Sequence, residues 1–351
     1  MLERPTTTHH FASKACSHAM VLLGLFACLA MSCSDDGNSE DTADSNNSGM
    51  DNNSGSNAGD TNSTGNDPTL SDLDYAPCDI AERVGGFKVI LDEEFTGIEG
   101  RVHDGVVPSN VPEVINTEGD CSLLRGRNLF CDPACGSQET CDDTGSCIAY
   151  PAGRSVGDVS VTGLKAELSM SPSASSKSYT NPPMFPHPGY DEGDIFSLTA
   201  AGGDYDTFTL TTWGVAMFET SSSEILVEAD SPIDLEWTPP SSDGPAKVHV
   251  EVNINNHGVT SAWIACDVAD TGSTSIAASL VTELVELGFS GYPTVLIRRQ
   301  SAASTEIEPG CVDFVASSEV TLDAAIPGLV SCSQNEDCPP DQNCQDDLTC
   351  Q

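Results

Sequence analysis

Eight of the 15 cysteines fall into two clusters built on one plan, Cys131-x3-Cys135-x5-Cys141-x5-Cys147 and Cys332-x5-Cys338-x5-Cys344-x5-Cys350. A unit of about 20 residues cannot enclose a hydrophobic core, so cross-links must be its main support, at about 2–4 kcal/mol for each bridge. Four thiolates also suit zinc. Neither cluster contains a Cys-x2-Cys pair or a His, however, which favours two disulfides per cluster over a metal. Four cysteines permit three pairings, and spacing alone does not choose among them. Disulfides at this density belong to an oxidising compartment.

The N terminus indicates how the chain would reach that compartment. Arg4 and Lys14 precede an apolar run at residues 21–30, too short to cross a bilayer but of the length of a signal-peptide core. With Ala30-Met31-Ser32-Cys33 following, residues 1–33 resemble the lipobox-type signal peptide of bacterial lipoproteins. The resemblance implies removal of residues 1–32, lipidation of Cys33 and a membrane partner held through acyl chains, each buried CH2 contributing about 0.8 kcal/mol. In Gram-negative lipoproteins a serine such as Ser34 after the cysteine implies outer-membrane delivery. Cys16 and Cys28 would leave with the signal peptide. Beyond the two clusters that leaves Cys78, Cys121, Cys266 and Cys311, for which we expect Cys78–Cys121 and Cys266–Cys311, each inside one domain. Both clusters resemble the small Cys-rich modules appended to secreted bacterial lipoproteins.

Residues 34–69 contain no Lys, Arg or aromatic residue and almost nothing apolar, so ordering them would have little to offset its entropy. We read 33–77 as a disordered acidic tether; as a coil of about 36 residues, 34–69 would reach roughly 30–36 Å. No stretch of it matches a calcium-binding loop. Over the whole chain 13 Lys+Arg stand against 54 Asp+Glu, a formal charge of -41, which excludes a nucleic-acid partner.

From residue 86 the composition turns to short β-branched runs at 87–91, 97–102, 156–170, 194–200 and 207–212, separated by turn signals such as Asp104-Gly105 and Gly202-Gly203. A second set follows at 224–227, 233–237, 246–254, 261–266, 294–298 and 318–322. In 247–254 apolar and polar residues alternate, which puts His249 on a solvent face. One helix interrupts this set, with Ser275 as N-cap, Leu280, Leu284 and Leu287 on one face and Gly288 as its stop. We expect an all-β protein of two antiparallel β-sandwich domains, 78–222 with the first Cys cluster (131–147) inserted and 223–330, closed by a Cys-rich module at 331–351. The block from Leu235-Glu236-Trp237 to Cys311 resembles immunoglobulin-like or fibronectin-like sandwiches of exported bacterial proteins. Trp237 and Trp263 are expected in the core.

Little in the sequence points to catalysis. Asp270-Thr271-Gly272-Ser273 resembles the catalytic motif of aspartic proteases, whose chemistry needs two carboxylates sharing a proton. A single copy would require a dimer, and the simpler reading is a turn in which Asp and Gly satisfy the backbone. His103, His187, His249 and His257 are isolated, without zinc-binding spacing. Met170, Met184, His187 and Met217 would be soft copper ligands only if the fold united them. No nucleophile elbow or phosphate loop occurs. The expectation is a non-enzymatic outer-membrane lipoprotein without cofactor, presenting its sandwiches for binding, adhesion or surface structure with a protein or glycan ligand. The alternatives are a carbohydrate-binding lipoprotein and an aspartic protease.

Overall fold

The computed structural model describes residues 68–255 and 261–351. The signal peptide, Cys33, most of the tether and His257 lie outside them. In chain order the first strands are β1 (Arg83–Leu91), β2 (Thr96–His103), β3 (Glu113–Glu118), β4 (Cys121–Arg125), β5 (Glu139–Cys141) and β6 (Cys147–Ala149). Next come β7 (Gly153–Arg154), β8 (Val159–Thr162), β9 (Leu168–Met170), β10 (Tyr179–Thr180), β11 (Ile195–Ala200) and β12 (Phe208–Trp213). The remainder are β13 (Glu224–Leu226), β14 (Ile233–Glu236), β15 (Lys247–Asn253), β16 (Ala262–Ala269), β17 (Ser273–Ile276), α1 (Ala278–Glu286), β18 (Thr294–Ile307) and β19 (Gly310–Ala325).

The all-β expectation holds. One 11-stranded sheet runs β10-β2-β1-β19-β18-β15-β16-β4-β3, with β7 added to β2 and β13 to β19. A four-stranded sheet, β12-β11-β8-β9, and the pair β14-β17 cover one face of it. Most pairings are antiparallel, but β1 and β13 each run parallel to β19. Period-two side chains sort the strands: Phe87, Val89, Phe314, Val250 and Ile264 are buried, while Lys88, His249 and Trp263 lie on the opposite face.

Two cores fill the covered face. One joins Phe87, Val89 and Phe314 to Val159, Val161, Phe196 and Leu198 of the four-stranded sheet. The other joins Val250, Val252 and Ile264 to Leu235, Leu280, Val281 and Leu284. Neither core keeps to one side of the expected boundary at 222/223: Cys121, Leu123 and Phe218 belong to the second core, Val312, Phe314 and Ala316 to the first, and the large sheet draws strands from both sides. The reason is the length of the β18–β19 hairpin. Strands of 14 and 16 residues extend about 46 Å and more at roughly 3.3 Å per residue, enough to line both cores: Val295 and Leu322 face one, Val312 and Phe314 the other.

This sheet corrects the expected pairing of the four dispersed cysteines. The bonds are Cys78–Cys311 and Cys121–Cys266, not Cys78–Cys121 and Cys266–Cys311. Cys121 lies directly across the β4/β16 ladder from Cys266, with Cα atoms 4.0 Å apart. Cys311 opens β19 beside Arg83, where the parallel β1 brings Cys78 within reach. Pairing within a domain fails because adjacent strands come from distant stretches of chain. Inside the clusters the two plans match: Cys131–Cys141 with Cys135–Cys147, and Cys332–Cys344 with Cys338–Cys350. In each module the last two cysteines face one another across a short antiparallel pairing, Cys141 opposite Cys147 and Cys344 opposite Cys350.

The helix starts later than expected. Ser275 belongs to β17, opposite Asp234, and α1 begins after Ala277. Leu280 and Leu284 are buried as expected, whereas Leu287 is exposed beside Gly288, whose φ of 101° ends the helix.

Candidate functional site

The covered face of the large sheet leaves the opposite face open, and there the strands β2, β1, β19, β18, β15 and β16 frame a groove of about 1070 Å³. Strand alternation sends every second residue into it. Lys88 and Glu99 are cross-strand neighbours on β1 and β2, and Arg298 and Glu319 on β18 and β19. One rung crosses four adjacent strands as Asp267, His249, Arg298 and Glu319. In it His249 Nδ1 lies 3.0 Å from Asp267 Oδ1, and Arg298 Nε donates to Glu319 Oε2 at 2.5 Å.

Burial works to raise the Asp267 pKa, but the His249 hydrogen bond and charge, with Lys247 and Arg83, carry it below the ordinary value. The Lys88 pKa is lowered, first by burial and then by the charge of Arg298. Lys88 and Arg101 line the groove without an ion pair within 4.0 Å among the described residues.

One end of the groove is closed by the segment before β1. Its Ala76 amide donates to the Ala302 carbonyl at 3.0 Å, and Gln300 Nε2 donates to the Tyr75 hydroxyl at 2.6 Å. Burial, then the charge of Asp267, pushes the Tyr75 hydroxyl up to about 12. Beneath the Cys78–Cys311 bond, Asp313 accepts from the Cys78 amide at 2.6 Å and pairs with Arg83 Nε at 2.6 Å. Burial raises the Asp313 pKa in spite of those partners.

Sequence reasoning placed His249 on a solvent face and dismissed it; that face is the groove. Trp263 was expected in the core. It is instead half-buried and lines the groove, while Trp213 and Trp237 are 1% and 6% exposed. The period-two pattern carried the signal for both, but not which strands stand beside them.

Asp270 occupies a turn between β16 and β17, with Gly272 at a φ of 98°. Its Oδ1 accepts from Trp237 Nε1 at 2.7 Å and from Arg299 Nη2 at 3.1 Å, and its Oδ2 accepts from Arg299 Nε at 2.5 Å. Arg299 also donates to the carbonyls of Met217 and Thr238 and lies 5.5 Å from the Phe218 ring centroid. A guanidinium therefore stands where a protease would need its second carboxylate. The copper candidates do not form a ligand set: Met170 is in a core, Met184 is exposed, and His187 engages Thr96 and the Glu93 carbonyl through its two ring nitrogens. Among the described residues, the clusters that could hold a metal by distance are built on cysteines already in disulfides.

No protein-family model and no curated protein matches the chain. The groove therefore has to be read from its own chemistry.

Proposed function

We propose that this chain is a cell-envelope lipoprotein, acylated at Cys33 and delivered to the outer membrane, whose sheet-face groove is a non-catalytic binding surface. The observation that carries the binding reading is the groove itself: an open concavity of about 1070 Å³ lined by charged and hydrogen-bonding side chains on a rigid sheet. Four of the chain's 13 Lys+Arg residues, Arg83, Lys88, Arg101 and Arg298, line it. In so acidic a molecule that share marks a surface whose charge is arranged rather than merely solvated. The non-catalytic reading draws support from Asp270, whose carboxylate is committed to Arg299 and Trp237.

The anchor is tested by feeding an alkyne fatty acid to expressing cells. Label should appear on the wild type and disappear with Cys33→Ser, and an unlabelled wild type would remove the lipoprotein reading. The groove is tested with the full chain against envelope material. Lys88→Glu with Arg298→Glu should abolish retention, while Lys165→Glu, outside the groove, should leave it unchanged. Equal retention by all three would move the contact elsewhere. Carbohydrate binding is favoured as a second reading by one observation, the half-buried indole of Trp263 in the groove.

A further inference from the structure

We infer that the groove takes a neutral oligosaccharide, laid across the strands with one sugar ring on Trp263. The inference rests on the groove being the binding surface and adds the ligand's chemical class. Its first support is charge. Across the chain acids outnumber bases 54 to 13, but the groove is lined by six acids against four Lys+Arg and His249, and four of the six, all but Asp79 and Glu251, face a cation. Asp313 pairs with Arg83 at 2.6 Å, Glu319 with Arg298 at 2.5 Å, and Asp267 meets His249 at 3.0 Å. Glu99 lies across from Lys88. Such a lining is far nearer balance than the chain as a whole and mixes both signs, so it offers no single-sign cluster to a polyion, and the field of the whole molecule repels polyanions.

Paired carboxylates and guanidinium groups are nonetheless well suited to hydroxyls. Arg298 has five N–H donors and spends Nε on Glu319, and each carboxylate has several lone pairs, so fixed donors and acceptors alternate along the floor. Trp263 adds an apolar plate for the C–H face of a ring. From β16, which carries Trp263, to β1, which carries Lys88, the sheet order is β16-β15-β18-β19-β1. Those four spacings amount to about 19 Å, and the Trp263 rung (Thr294, Asp323) lies eight residues along β18 and β19 from the Lys88 rung (Ala302, Val315), about 26 Å further, which calls for an elongated ligand running obliquely over the strands. A peptide is the lesser fit, because peptide capture by a sheet uses free backbone groups at an edge and these central strands are paired on both sides.

The test uses the full chain, a panel of neutral hexasaccharides (β-1,4-linked glucose, α-1,4-linked glucose and β-1,4-linked N-acetylglucosamine), oligogalacturonate and a poly-glutamate peptide. Binding is followed by calorimetry and by the ligand-induced change in tryptophan emission, which reports mainly on Trp263 because Trp213 and Trp237 are buried away from the groove. We expect at least one neutral hexamer to bind and change the emission. Its affinity should vary less than about twofold between roughly 50 and 500 mM salt. Trp263→Ala should weaken it by about tenfold or more, equivalent to about 1.4 kcal/mol, and Trp263→Phe by less. The far-ultraviolet spectrum and melting temperature of Trp263→Phe serve as the folding control. Binding of oligogalacturonate or peptide alone, with affinity falling steeply with salt and lost in Lys88→Glu, would overturn the neutral-sugar assignment and leave the groove standing. A hexamer bound equally by wild type, Trp263→Ala and Lys88→Glu/Arg298→Glu would overturn both. No binding by any probe would overturn the inference.

Discussion

At the residue scale the Arg299–Asp270 pair is the sharpest test of what the Asp-Thr-Gly-Ser segment does. Both side chains are almost wholly buried, at 1% and 4% exposure. Removing one partner leaves an uncompensated buried charge, so Arg299→Met should lower stability by about 3–5 kcal/mol in denaturant unfolding. Adding Asp270→Asn should recover part of that loss, giving a measurable coupling energy in the double-mutant cycle. A protease would show the opposite pattern, tolerating Arg299→Met in stability while losing activity with Asp270→Asn. The turn itself was legible from Asp270 and Gly272; its partner was not. Arg299 lies on β18, where alternation sets it on the face of Val295 and Ile297, but nothing in the strand pattern names the carboxylate that partners it there.

Asp313 gives a pH-dependent counterpart. Burial raises its pKa above the ordinary carboxylate value in the folded chain. The favourable contribution of its protonated form is therefore fully present below the unfolded pKa of about 3.9 and is lost as pH rises through the folded pKa. Asp313→Asn keeps an acceptor for the Cys78 amide without the charge. Its stability relative to wild type should rise with pH across that window, as read from urea midpoints at a series of pH values. A constant difference would mean that Asp313 titrates as it does in the unfolded chain.

At the element scale several strands were legible and their neighbours were not; β3 and β4 went unseen, and of β18 and β19 only 294–298 and 318–322 were expected. The runs expected at 194–200 and 207–212 appear as β11 and β12, within a residue at each end. Alternation says which residues share a face of one strand; it says nothing about which strand lies alongside. The parallel pairing of β1 with β19 joins residues more than 220 positions apart, such as Arg83 and Cys311, and with it went the disulfide assignment. Non-reducing peptide mapping should recover the linked pairs Cys78–Cys311 and Cys121–Cys266. Replacing both Cys121 and Cys266 by Ala should cost about 2–5 kcal/mol. Replacing Cys78 and Cys311 should in addition raise amide exchange across residues 75–82, which no other covalent link holds to β19. Recovery of Cys78 linked to Cys121 would refute the β1–β19 register.

At the scale of the whole molecule, composition led to the right class for a traceable reason. Short β-branched runs and many turn residues leave few options other than sheets, and the two cysteine clusters are too small to be anything but cross-linked modules. The groove was beyond sequence reach because it belongs to no motif; Lys88, His249, Trp263 and Arg298 come to line one surface only through the order of six strands. Heat should accordingly unfold residues 68–351 through the shared sheet in a single main transition rather than as two independent halves. Scanning calorimetry showing two transitions near 78–222 and 223–330 would mean that the sheet does not couple the cores.

The Cys78–Cys311 bond also sets how the molecule bears load. Tension arriving through residues 68–77 reaches Cys78 and passes covalently into the start of β19, one of the innermost strands, before any hydrogen bond of β1 is engaged. β19 also borders the groove, so a ligand seated there and a pull on the N-terminal segment would act on the same strand. Force would travel a short path through the middle of the sheet, sparing the edges where strands peel most readily. Reduction of that single bond would transfer the load to β1, so that pulling beyond the Tyr75 and Ala76 contacts would strip β1 from the sheet.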